Sequence, residues 1–302
     1  PAPPARCAYD DKWYVPRPDE EAQTLEALEY PGAAAALMAP IGFGKTWMME
    51  HVLRQLRSRG RIVTLNLRAF GDEQTMQSFS GFLRELARQI LADATELSAA
   101  ETAATIDEAW RFAMNPIDNL NRLMRRQILP SLSPKWLILA LDDVDTLRKH
   151  PYLEDFFTLL RSWMEGSCHP PWDALRLFMT LSMPPRLLIA NINQSPFNNA
   201  TKIALGDLDD QQIAQLCDMY DVRWTAEERQ AVQAHVGGHP YLLKLALREA
   251  RRTHRTVAEL LSPDCSVFDD HLADRQSWLA ARPLLQQVFV GAASGRKQSD
   301  FL

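Results

Sequence analysis

The chain has 302 residues, 46% of them hydrophobic, with a formal net charge of −5. That length supports one large core with a smaller satellite, and the acidic balance disfavours a general nucleic-acid grip, which would show a basic excess. No apolar run approaches the ~18 residues of a membrane helix, no secretory signal is expected, and Cys7, Cys168, Cys217 and Cys265 form no C-x-x-C pair, as expected of reduced thiols in a cytoplasmic protein.

The chain opens Pro1-Ala2-Pro3-Pro4-Ala5-Arg6 without Met, which reads as a linker from a longer protein. Strands are predicted at Ala33–Met38, Arg61–Leu67, Trp136–Leu141, Leu175–Leu181 and Thr201–Leu205. They alternate with helical patterns, the signature of a parallel α/β sheet. The third strand is apolar on both faces, as a central parallel strand should be. Trp47, Met48, Val52, Leu53 and Leu56 form one apolar stripe at helical spacing; Phe82, Leu86, Ile90 and Leu91 form another.

The first predicted strand runs into Ala39-Pro40-Ile41-Gly42-Phe43-Gly44-Lys45-Thr46, a phosphate-binding loop ending in Gly-Lys-Thr. Backbone N–H groups of such a loop cradle phosphate, the Lys reaches the outer phosphates and the Thr hydroxyl ligates a divalent metal. Its first position holds Ala39 rather than Gly, so that residue must adopt a conformation open to Ala. The third strand delivers Asp142 and Asp143 just beyond its end, an arrangement that holds Mg²⁺ and water beside a nucleotide's phosphates. Together the two motifs indicate nucleotide binding.

After Leu205 the pattern turns helical. Thr225-x-x-Glu228 and Thr256-x-x-Glu259 are capping boxes, Gly237-Gly238 a helix stop, and Pro240 suits a first helical turn. The expected organisation is a linker and strap over 1–30, a nucleotide-binding domain over 31–206 and a helical subdomain over 207–262. A helical tail over 263–302 would begin a truncated winged helix, and Gly291–Gln298 is patternless.

The order of loop, acidic strand, further strands and helices resembles the AAA+-related signal-transduction (STAND) P-loop NTPases, in particular the bacterial AAA-like domain. Tyr14-Val15-Pro16-Arg17-Pro18, Leu141-Asp142-Asp143-Val144-Asp145, Ile192-Asn193-Gln194-Ser195-Pro196-Phe197-Asn198 and Gly237-Gly238-His239-Pro240-Tyr241-Leu242 carry the likeness. It implies a five-stranded parallel sheet of order 5-1-4-3-2 with a C-terminal helical lid, and ATP or ADP with Mg²⁺ as ligands. Ala39 to Trp47 would surround the nucleotide, with Lys45 on phosphate and Thr46 and Asp142 on the metal. Asp143 stands where relatives usually carry Glu to polarise water; being a methylene shorter, it implies slow hydrolysis. Ser182 falls at the phosphate-sensing position. Tyr14, Val15, Pro16 and Arg17 match the strap against the adenine, and Pro240 the lid proline over the base. For His239 a local hydrogen bond is favoured over an approach to the phosphates.

Elsewhere the residues read more plainly. Asp145 with Arg148 is expected as a solvated pair, Arg122, Arg125 and Arg126 as a solvated basic face, and His169 and His235 as surface or packing groups. The favoured function is an ATP-driven switch controlling attached or partner modules through oligomerisation. The alternatives are a DNA-associated ATPase of the origin-recognition or transposition type and a nucleotide-stabilised scaffold without turnover.

Overall fold

The computed structural model describes residues 9–111, 115–166, 169–189 and 195–280, with Gln286. Cys7, Cys168, Ile192 to Gln194 and Gly291 to Gln298 lie outside the described residues; Cys217 and Cys265 are buried free thiols. Strands β1 (Ala34–Met38), β2 (Gly60–Asn66), β3 (Trp136–Asp142), β4 (Leu175–Leu181) and β5 (Thr201–Ala204) form one parallel sheet, ordered β2-β3-β4-β1-β5. This is the order the resemblance implies. Strand ends differ from expectation by about one residue. The functional difference is at β3, which runs on to Asp142 because Asp142 pairs with Asn66 and its carbonyl accepts from Leu67 N–H at 3.0 Å.

Alternation along the strands separates two apolar layers. Ala35, Leu37, Ile138, Ala140, Phe178 and Ile203 face α1 (Pro18–Glu29) and α2 (Lys45–Leu56), which contribute Leu28, Met48, Met49, Val52, Leu53 and Leu56. Between β2 and β3 run α3 (Glu73–Met76), α4 (Phe79–Ala94), α5 (Ala99–Ala109), α6 (Pro116–Leu123) and α7 (Leu129–Leu132); α8 (Leu153–Glu165) follows β3. Phe82, Leu86 and Ile90 of α4 and Phe156, Phe157 and Trp163 of α8 pack with Leu139, Leu141, Leu177 and Met179 on the opposite face. β4 is buried at every residue, whereas β5, at the edge, buries only Ile203.

α6 and α7 are joined by a π turn, Met124–Ile128, in which Leu129 N–H reaches Met124 O. Pro130 follows, and a proline ring crowds the carbonyl four residues back while offering no N–H; the wider turn accommodates it. Arg122 donates to Ala109 O at 2.9 Å, and Arg125 and Arg126 are exposed.

The chain divides at Gly206–Asp207 into two compact units. The second holds α9 (Asp210–Tyr220), α10 (Ala226–Val236), α11 (Pro240–Thr253), α12 (Val257–Leu260) and α13 (Asp269–Ala280), around Ile213, Tyr220, Val232, Leu243 and Leu247. Both expected capping boxes form, at α10 and α12. Two more, Asp209 with Gln212 and Ser98 with Glu101, start α9 and α5. Among the described residues no helix is long and apolar enough to cross a membrane.

Gly238 is fixed by close approach. Its carbonyl accepts from Leu208 N–H at 2.8 Å, and a Cβ there would stand 2.3 Å from Leu208 O and 2.6 Å from Asp207 Cβ. Gly238→Ala is therefore expected to destabilise the helical unit by about 1–3 kcal/mol, the cost of overpacking against backbone, measured by urea unfolding.

Candidate phosphate-binding site

The loop from β1 to α2 starts as an extension of the sheet: Ala39 N–H donates to Leu181 O of β4 at 3.3 Å. Positive φ falls on Gly42 (92°) and Gly44 (87°), not on Ala39. A methyl at the first position therefore meets no backbone obstacle. Gly44 is the N-cap of α2, and no neighbouring protein atom lies within 4 Å of where its Cβ would stand. The result is a concavity at a helix N-terminus, with loop N–H groups and the helix dipole favouring an anion.

Lys45 roots that concavity. Its side chain is 6% exposed, and Nζ donates to Ala39 O at 2.8 Å, Pro40 O at 3.1 Å and Ser182 Oγ at 2.9 Å. Burial lowers its proton affinity, and the charges of Asp143, Asp145 and Asp142 oppose that. Ser182, one residue past β4, is thus in contact with the loop lysine.

Asp142 at the end of β3 is buried and held by two hydroxyls. Thr46 Oγ1 donates to its Oδ2 at 2.8 Å and Thr180 Oγ1 to its Oδ1 at 2.5 Å. Thr180 Oγ1 also accepts the Asp143 N–H at 2.9 Å. One hydroxyl on β4 therefore sets the backbone and side chain of the acidic turn. Asp143 adopts left-handed backbone, φ 57°, and its Oδ2 pairs with Arg68 Nε at 3.1 Å. Burial first, and then the Asp142 charge, push its carboxyl above the usual range, against the pull of Arg68.

Asp145 differs from its expected solvated pairing with Arg148. Its Oδ1 accepts the Ser182 N–H at 3.0 Å, while Arg148 is exposed. The helical turn after Asp143 points Asp145 back toward the tip of β4. Thr180, Asp145 and Arg68 are the residues the sequence analysis missed or placed elsewhere; each meets its partner across the sheet, so no local pattern announces it.

The N-terminal segment lies against α2. The Tyr14 ring stacks on His51 with centroids 4.3 Å apart, and its hydroxyl donates to Glu21 Oε1 at 2.7 Å. Arg17 is 5% exposed and donates to Gly206 O at 2.9 Å. Val15 is half-buried and Pro16 exposed. Trp47, half-buried, packs on Tyr9 with centroids 5.3 Å apart. Ile41 stands 50% exposed on the loop. In the second unit, His239 is the N-cap of α11, its Nδ1 accepting from Tyr241 N–H at 3.2 Å, and Pro240 occupies the first turn. That is the local hydrogen bond favoured for His239.

Chemically, the loop amides and the Lys45 ammonium suit a polyphosphate. Among the described residues no cluster of three His, Cys, Asp or Glu is placed to hold a metal. Thr46 and Asp142 instead form a two-oxygen donor set, which suits a hard cation that keeps waters and takes other ligands from a phosphate.

A parallel sheet with this loop on β1 and the acidic turn on the neighbouring-but-one strand defines an AAA-like P-loop ATPase fold. The chain belongs to the AAA-like domain family, whose model matches residues 2–300. No curated protein matches it. Among solved structures it is similar to a Walker-type ATPase of Pyrococcus abyssi, 13% identical, covering 92% of this chain and 79% of that one, TM-score 0.62. It is also similar to the Aeropyrum pernix ORC2 protein in its ADPNP–ADP complexes (15% identity, 85% and 66% coverage, TM-score 0.52). A third is the replication initiator DnaA bound to AMPPCP and single-stranded DNA (14% identity, 96% and 76% coverage, TM-score 0.52).

Two outcomes follow from the acidic turn. Thr180→Val leaves an Asp142 oxygen and the Asp143 N–H without their partner and should cost about 1–3 kcal/mol, most of it recovered by Thr180→Ser, in urea unfolding. Because the Asp143 carboxyl holds its proton more tightly folded than unfolded, its contribution to stability falls as pH rises from the ordinary Asp range through the raised one. Asp143→Asn should remove that slope in unfolding measured across mildly acidic pH.

Proposed function

We propose that the chain binds an adenine nucleotide with Mg²⁺, hydrolyses it slowly, and acts as a STAND-type switch for attached or partner modules. The observation that carries this reading is the buried Lys45 ammonium beside the Thr46–Asp142 pair at the open N-terminus of α2. Lys45 and the loop residues Ala39 to Thr46 would bind the phosphates, and Thr46 and Asp142 would hold the metal, which on binding supplies positive charge to the phosphate oxygens. Asp143 would orient and deprotonate water, and Ser182, already on Lys45, would register the outer phosphate. The Tyr14 and Arg17 side chains are engaged within the protein, so contact with the base would fall mainly to Val15, Pro16 and Trp47. The nucleotide complexes of ORC2 and DnaA support the ligand class. A nucleotide shifts such a switch only as far as it binds one arrangement better than the other.

A second reading, a DNA-associated ATPase, is favoured by the likeness to DnaA bound to single-stranded DNA and opposed by the net charge of −5. A DNA titration over a salt series separates the two, since phosphate contacts give a steep salt dependence.

Lys45→Ala should lower ATP affinity at least about tenfold, the loss of a charge-assisted contact, in equilibrium nucleotide binding. Undiminished affinity would exclude this site. Asp143→Asn should abolish hydrolysis while ATP still binds, because an amide cannot take the proton; turnover at the parent rate would move the base elsewhere.

A further inference from the structure

We propose that Arg68 is this chain's own ligand for the terminal phosphate of a bound nucleoside triphosphate, transferring to it from Asp143. The inference rests on the nucleotide reading above and adds a residue that neither the loop nor the acidic turn contains.

The backbone aims Arg68 at the site. Asn66 ends β2 in register with Asp142, Leu67 N–H bonds the Asp142 carbonyl, and Arg68 N–H donates to Asn66 Oδ1 at 3.0 Å. Arg68 is therefore carried to the sheet's carboxyl edge beside Asp143. Its Nε–Asp143 Oδ2 contact, at 3.1 Å, is its one ion pair among the described residues. The side chain remains 57% exposed, so the guanidinium can turn without unpacking a core.

Charge gives a reason for it to turn. Asp142, Asp143 and Asp145 all act on Lys45, and Arg68 acts on Lys45 and on Asp143. Lys45 and Asp143 thus each lie within electrostatic reach of Arg68, Asp142 and Asp145. A polyphosphate binding there meets repulsion from the acidic turn that Lys45 alone does not offset. Arg68 stands at the Asp143 end, where the outermost phosphate would face the water-polarising group. A guanidinium presents several donors in a fixed fork that matches phosphate oxygens, and a multiply charged phosphoryl group attracts it more strongly than one carboxylate. Its departure would also free Asp143 for water. Acting within one chain, it needs no residue from a second subunit.

The test compares the affinities of ADP and of a non-hydrolysable ATP analogue, with Mg²⁺, for the parent protein, Arg68→Ala and Arg68→Lys. The expected result is ADP affinity unchanged within about twofold, which also reports an intact fold, with analogue affinity reduced about tenfold in Arg68→Ala and less in Arg68→Lys. Equal loss for both nucleotides, or loss for neither, would overturn the proposal. Unchanged affinities with faster hydrolysis in Arg68→Ala would likewise overturn it, making Arg68 a restraint on Asp143 instead. If the parent binds neither nucleotide, the nucleotide reading itself fails; if it binds both and the variants bind alike, only the role of Arg68 fails.

Discussion

A buried ammonium with three carboxylates acting on it is the constraint on which the rest of the first unit depends. Lys45 is charged against the penalty of its burial, and the acidic groups that favour its charge repel one another. Such a cluster persists only if each member is tied down by a group that does not belong to it. The ties come from α2, from β4 and its tip, and from the residues just past β2. Thr180 and Thr46 hold Asp142, the Ser182 amide holds Asp145, and Arg68 holds Asp143. Since Thr180 and Ser182 lie at the tip of β4 and the carboxylates at and beyond the tip of β3, the β3–β4 register decides whether the cluster exists. A one-residue slip would turn Thr180 to the other face and leave Asp142 with one hydroxyl partner.

That register in turn needs two complete apolar layers. The strand residues that share a face with Asp142 and Thr180 are Ile138, Ala140 and Phe178, on the α1–α2 side, with Leu139, Leu141, Leu177 and Met179 on the other face. At the strand tips the α1–α2 face turns to the polar but still buried Thr180 and Asp142. The N-terminal segment closes the α2 side by a different chemistry. Tyr9 and Tyr14 meet His51, Arg54 lies over the Tyr9 ring, and Asp11 and Glu21 flank the imidazole. The result is a polar and aromatic seam rather than a continuation of the core.

What could be read from the residues follows the range of the interaction. The strands, the helical stripes, the phosphate-binding loop and the paired carboxylates are local signals, and the structure contains the sheet with these motifs on it. Boundaries drifted by a residue because pairing decides them: Asp142 joins β3 through a bond to Leu67 on another strand. Thr180, Asp145 and Arg68 were illegible for the same reason, since each acts on a residue brought near only by parallel pairing. The boxes at Ser98–Glu101 and Asp209–Gln212 are a different kind of omission. Their spacing was as readable as that of Thr225–Glu228, and α9 buries Ile213, Leu216, Cys217 and Tyr220 where α10 buries Val232 alone. The π turn before Pro130 has a local cause, but a proline inside an apolar pattern reads equally well as a helix end.

The left-handed backbone of Asp143 has a consequence for how this acidic turn can change over evolutionary time. Aspartate and asparagine enter that region more readily than longer side chains, because a short polar group can bond locally. At this φ, a glutamate would gain reach toward water but lose backbone ease. Lengthening the acid is therefore not an isolated step. It becomes accessible once the turn after β3 is rebuilt, so the acid and the turn that carries it are expected to drift together rather than one at a time.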